Sequence, residues 1–218
     1  MQQSSMEFPA VRPFSLSIRH VKMQEAAEQN VRQHHLHSEC EIYINLSGDV
    51  SFMVEEKIYP IRPGDAILTR PYEYHHCIYH SDAPHEHFWI LFSAEGNEAL
   101  FPLFFCRERG EGNRIVLPRE EQTRMFGHCR ALLAGEGGLL ARYQHFFALL
   151  SLLRTGTAAE EESAQVPEEL RRVLEYINVN YAGPIAVGAL AEMAFVSRYT
   201  LERRFQQYLG VSPYAYIT

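Results

Sequence analysis

At 218 residues the chain is long enough to bury one or two real cores. With 46% apolar and 22% charged residues it has the composition of a soluble globular protein. No run approaches the ~20 apolar residues that span a bilayer, and the opening MQQSSMEFPA lacks the apolar stretch of a signal peptide. Cys40, Cys77, Cys106 and Cys129 stand far apart in no paired spacing, which points to reduced thiols in a cytoplasm and away from a disulfide framework or zinc ribbon. The formal net charge is −7, an unpromising sign for a nucleic-acid binder. Yet residues 168–218 hold five Arg against five Glu, so the deficit belongs to residues 1–167.

Taken in order, Phe14, Leu16 and Ile18 alternate with polar residues and predict a first strand, followed by a polar loop. From Val31 onward short β signals repeat: Glu41–Leu46, Val50–Val54, Ile58–Ile61, Ala66–Thr69, His76–Tyr79 and His87–Phe92. Turn chemistry separates them, including Ser47-Gly48-Asp49 and Arg62-Pro63-Gly64-Asp65. Many short strands at regular spacing favour a barrel or jelly roll. In Glu41–Leu46 one face carries Glu41, Tyr43 and Asn45 and the other Ile42, Ile44 and Leu46. The polar–aromatic face suits a cavity wall, and the aliphatic face suits packing on helices or on another sheet.

Two helices are expected next, Pro118–Leu133 and Leu139–Leu153, joined at Gly135–Gly138. The second is apolar on too broad a surface for one contact, so a homodimer through residues 118–153 is one expectation and burial within the fold the other. Residues 156–166 read as an acidic linker between a domain at 1–155 and one at 167–218. Pro167 opens a helix with Leu170, Val173, Leu174 and Ile177 at helical spacing, ending near Gly183. Ile185–Pro213 then reads as helix, tight turn, helix. Ser197 is the expected N-cap of the second helix, and Leu201, Phe205 and Leu209 form its packed stripe. Tyr199, Glu202, Arg203 and Gln206 fall on the opposite face, with the donors, acceptor and flat ring that can read base edges.

The spacing of Ala191, Ser197, Leu201, Arg203, Phe205, Gly210, Ser212 and Pro213 resembles the first helix-turn-helix of AraC/XylS-type bacterial transcription regulators. With the barrel, helix pair and linker, the resemblance covers nearly the whole chain. It implies an α+β architecture: a cupin-like barrel that senses a small molecule, with a C-terminal helix pair, and then an all-α DNA-binding unit. Tyr199, Glu202 and Arg203 would face bases, and Arg198, Thr200 and Arg204 would contact phosphates. The family's DNA-binding unit has two such motifs, and this chain stops at Thr218 where the helix joining them would begin. A fragment, or a truncated product, with weak DNA binding is therefore expected.

His35-x-His37-x3-Glu41 is the second pattern. On one strand all three side chains would share a face. The spacing resembles the first motif of cupin barrels, where it supplies three metal ligands, and the resemblance places a fourth at His75, with His76 competing. A divalent transition metal held by His35, His37, Glu41 and His75 is one expectation. A metal-free pocket for a small molecule such as a sugar, lined by Tyr43, Asn45, His75 and Trp89, is the other. Trp89 could stack on a sugar ring or sit in the core. The rival functional expectation is a metal-dependent cupin enzyme of dioxygenase or isomerase type with a helical appendage.

Overall fold

The computed structural model describes residues 11–26, 30, 37–158, 163–180 and 183–217. Within them the strands are β1 (Leu16–Met23), β2 (Cys40–Ser47), β3 (Val50–Val54), β4 (Lys57–Ile61), β5 (Ala66–Thr69), β6 (His75–Tyr79), β7 (His85–Phe92), β8 (Arg114–Val116), β9 (Thr157–Ala158) and β10 (Ala164–Gln165). The helices are α1 (Pro102–Phe105), α2 (Arg119–Ala134), α3 (Gly138–Leu153), α4 (Glu168–Asn180), α5 (Val187–Met193), α6 (Arg198–Leu209) and α7 (Pro213–Ile217). Antiparallel pairing builds a six-stranded sheet in the order β1-β7-β2-β5-β8-β9 and a four-stranded sheet in the order β10-β4-β3-β6.

The two-residue period of the strands sorts their side chains into three cores. Ile42, Ile44, Phe88, Ile90 and Phe92 leave the outer face of the six-stranded sheet and pack on Phe104, Met125, Phe146 and Leu149 of α1–α3. Tyr43, Phe52, Val54, Tyr59, Ile67 and Tyr79 point between the sheets. Met53, Ile58 and Ile78 leave the outer face of the four-stranded sheet and pack among Leu170, Leu174, Phe205 and their neighbours on the C-terminal helices. The chain is therefore layered helix, sheet, sheet, helix, and of the two partners open to the aliphatic face of β2 it meets helices.

The Pro63-Gly64-Asp65 turn ties the six-stranded sheet to α2. Gly64 has φ +95°, and a Cβ there would lie 2.3 Å from the Gln122 side chain. Asp65 accepts from the Arg62 amide at 2.9 Å and forms a buried ion pair with Arg114 at 2.8 Å. α3 is fully buried at Phe146, Leu149 and Leu153, whereas Leu139 and Leu140 in its first turn are 66% and 72% exposed. Its later turns are core, as the expectation of burial within the fold has it, and its first turn is exposed.

The linker departs from the sequence expectation. β9 pairs with β8 of one sheet, and β10 pairs with β4 of the other. A two-residue edge pairing is imposed by the partner strand and needs no apolar pattern of its own, so composition does not reveal it. β8 and α1 are likewise too short to carry a period. In the C-terminal unit Ser197 accepts from the Thr200 amide at 3.1 Å and caps α6, as expected. Gly188, an unfavourable residue inside a helix, has a local reason: a Cβ there would lie 2.3 Å from the Arg198 guanidinium.

Candidate functional site

Between the sheets lies a cavity of about 300 Å³. Glu41 and Tyr43 of β2 form one wall, His87 and Trp89 of β7 stand beside them, and Phe52 of β3 with His75 and Cys77 of β6 faces them. β7 pairs with β2 in the register Tyr43↔Trp89 and Asn45↔His87. Trp89 is therefore a cavity residue and not a core one. The Arg19 guanidinium lies 5.1 Å from its ring centroid, covering the indole at the mouth.

Glu41 is buried and makes the central polar contacts. Its Oε2 lies 3.1 Å from Nε2 of His37 and 3.2 Å from Nε2 of His75. Burial works against its ionisation. The charge of His75 and hydrogen bonds from His37, His75 and Trp89 overcome that and hold the carboxyl well below the usual carboxylate range. For His75 burial opposes protonation, and the Glu41 carboxylate reverses the balance, so its pKa is raised. His37, Glu41 and His75 each present one ligand atom within 4.8 Å of the others, a set of imidazole and carboxylate donors that fits a transition-metal ion.

Deeper in the barrel the chemistry differs. The Tyr43 hydroxyl lies 2.7 Å from Nε2 of His85, and Nδ1 of His87 lies 2.9 Å from the same nitrogen. Tyr43 stacks on His87 at 4.6 Å. Burial, and then the charge of His85, push the His87 pKa down to about 3, so this ring is neutral at physiological pH. Burial similarly lowers His85 and raises Cys77 to about 12.

These positions correct several sequence expectations. His35 lies outside the described residues. His37 does not share a strand with Glu41: it precedes β2, in irregular chain, where its carbonyl accepts from the Tyr72 amide at 2.9 Å, and its ring still reaches the carboxylate. His75, not His76, joins the cluster. The next residue in a strand points to the other face, and His76 packs edge-on to Tyr74 and Tyr216 at the C-terminal helices. Asn45 has the right parity but does not line the cavity; it is fully buried beside the bulge at Asn45/Ser47. His85 and His87 are both buried, and His87 lines the cavity. The parity of β7, which puts His85, His87 and Trp89 on one face, is the signal that finds them. Arg19, Phe52, Cys77 and Tyr79 carry no local motif and are recognised only once the sheets are paired.

The outer face of α6 is the second candidate surface. Leu201, Phe205 and Leu209 are buried, while Tyr199 is 74% exposed and Glu202, Arg203 and Gln206 are open to solvent. Arg198 is exposed at the first turn, with its guanidinium beside Gly188. Thr200 is bonded to the Ser197 cap at 2.8 Å. Arg204 is turned inward, 3.2 Å from Glu169 on α4, which separates it from the exposed set. Just ahead of the cap, Phe195 is 87% exposed and holds a positive φ of 57°. The C-terminal helices rest on the barrel through Met53, Ile78 and the Tyr74–Tyr216 hydroxyl contact, leaving the α6 face uncovered.

Family models match both parts. The AraC-like ligand binding domain matches residues 23–170, and the bacterial regulatory helix-turn-helix of the AraC family matches residues 177–218. The uncharacterized HTH-type transcriptional regulator YbfI of Bacillus subtilis (strain 168) is 25% identical over 187 residues, covering 84% of this chain and 68% of that protein. Among solved structures, the AraC-like transcriptional activator CuxR is 13% identical with TM-score 0.37, covering 94% of this chain and 70% of that one. ToxT from Vibrio cholerae O395 is 9% identical with TM-score 0.39, covering 93% and 78%. No helix among the described residues is long and apolar enough to cross a membrane.

Proposed function

The chain belongs to the AraC family of ligand-responsive, DNA-binding transcription regulators, and from that premise we propose which of its residues sense and which read. The effector site is the barrel cavity. Its aromatic walls, Tyr43, Phe52 and Trp89, suit a flat or ring-shaped molecule, and Glu41, His75 and the Tyr43 hydroxyl supply the polar contacts that orient it. A monosaccharide fits the mixture of stacking surface and hydrogen-bonding groups.

The reading surface is the outer face of α6. Tyr199, Glu202, Arg203 and Gln206 contact base edges, with Glu202 suited to a cytosine amino group and Arg203 to a guanine. Arg198 and Thr200 contact phosphates at the helix start. Arg204 positions α6 on α4 through Glu169. The observation that carries the proposal is that this face stays open while the opposite stripe is buried. The open first turn of α3, with Leu139 and Leu140, supports a homodimer through the α2–α3 pair.

The enzymatic alternative draws on the same His37–Glu41–His75 cluster, and we propose that the cluster serves sensing and not turnover. A library of sugars and small acids screened by thermal shift, with DNA affinity measured beside it, tests the effector site. Val21 borders the cavity and is half-buried. A Val21→Trp chain should lose the shift and the DNA response while keeping its basal DNA affinity. An unchanged response in that variant would move the effector elsewhere.

A further inference from the structure

The turn before α6 holds a residue that suits its backbone badly. The Phe195 amide donates to the Glu192 carbonyl at 3.0 Å, and the Val196 amide donates to the Ala191 carbonyl at 3.0 Å. This pair of bonds closes α5 in a Schellman motif, which demands a left-handed residue at the position Phe195 fills. Its φ of 57° meets the demand. Glycine is the usual occupant, because a bulky side chain there crowds its own backbone. The ring gains nothing from the fold in return: Phe195 is 87% exposed, whereas Val196 beside it packs with the C-terminal core. An exposed aromatic alone needs no explanation. One held in a strained conformation, where glycine would serve the fold better, does.

The neighbouring residues point to the partner. Only Val196 and Ser197 separate Phe195 from α6, so its Cα is no more than about 11 Å from that of Arg198. Arg198 and Tyr199 are exposed in the first turn of that helix. A phenyl ring offers no donor or acceptor, so what it can read in a major groove is the C5-methyl of thymine. We infer that Phe195 is a further DNA contact, packing its ring on a thymine methyl at the edge of the bases read by α6 and setting a preference for thymine there. The strain of the turn is retained because glycine, the better residue for the fold, would leave that methyl bare. The inference rests on the α6 reading face and extends it from the helix into the turn.

The test uses the whole chain and the duplex it selects from a random pool, with affinity read by fluorescence anisotropy at low salt and stability by urea unfolding. Two variants remove the ring and keep the turn: Phe195→Gly, and Phe195→Asn, since Asn also tolerates the left-handed region. Each should weaken binding by roughly tenfold, the worth of burying part of a phenyl ring, while its urea midpoint stays level or rises. A purely structural residue would move affinity and midpoint together. Replacing each thymine of the duplex in turn with deoxyuracil removes only the methyl. At one position this should cost wild type about fourfold, the worth of one buried methyl, and cost Phe195→Gly nothing. Undiminished binding by both variants would overturn the inference, as would losses equal on thymine and uracil duplexes at every position. Arg203→Ala separates the two levels. If it weakens binding and the Phe195 variants do not, the turn contact alone fails; if it binds like wild type, the reading face beneath it fails. A pool that yields no preferred duplex overturns both.

Discussion

The barrel cavity and the outer face of α6 are built in opposite ways. Cavity side chains come from β1, β2, β3, β6 and β7, are mostly buried, and several are held by one another: Glu41 by two histidines, Tyr43 by His85. The α6 face comes from a single helix and is solvated, with its positioning left to residues on the other side, Leu201, Phe205 and Leu209. A site for a small molecule is pre-organised by its own contacts, whereas a site for a duplex needs only a rigid support and an open face. Substitutions should therefore act differently in the two regions, on shape and stability in the first and on affinity alone in the second.

The largest expected effect strikes the support. Phe205 is fully buried among α4–α7, and Phe205→Ala should cost about 3–5 kcal/mol. Chemical denaturation should show it, together with loss of DNA binding and retention of ligand binding in the barrel. Next comes the reading face: Arg203→Ala should cost about 1–3 kcal/mol of DNA affinity at one base pair with an unchanged unfolding curve. Equal loss of stability would mean that Arg203 is structural and that the contrast between the regions fails.

A third prediction concerns pH and the cavity. The folded pKa of His87 is about 3, below its ordinary value of 6.5. Below pH 6.5 the unfolded chain binds a proton that the folded chain refuses, so this ring's contribution is complete above pH 6.5 and drains away as pH falls toward 3. His87→Gln should flatten the stability-against-pH curve over that window, and an unaltered slope would show that the ring is not held neutral. The smallest effect lies at the turn. Phe195 adopts a left-handed backbone at an exposed site, so Phe195→Gly should stabilise the C-terminal unit by about 1 kcal/mol, visible as a raised midpoint in urea.

The two regions also differ in how far they could be read from the chain. Helical spacing is local, so Ser197 as cap, the Leu201–Phe205–Leu209 stripe and the exposed Tyr199 face follow from a dozen consecutive residues. Strand parity is local too, and it correctly turned Glu41 and Tyr43 inward and Ile42 and Ile44 outward. Cavity membership is not local. It depends on which strands pair: the parity of β7 puts His85, His87 and Trp89 on one face, but only the β1–β7–β2 register turns that face inward and brings Arg19 to it. Choosing His75 over His76 likewise required knowing which face of β6 meets the C-terminal helices. The edge pairings of the linker left no trace in composition, because β4 and β8 dictate them.

The central claim is that the open face of α6 is what touches DNA. It is tested most directly by selecting duplexes from a random pool with the whole chain, then measuring fluorescence anisotropy of the selected duplex at low salt with wild type, Tyr199→Ala, Arg203→Ala and Leu139→Lys. Weaker binding by the two α6 variants, each folded like wild type, with Leu139→Lys changing only the stoichiometry, is the predicted result. Identical isotherms for wild type and both α6 variants would contradict it.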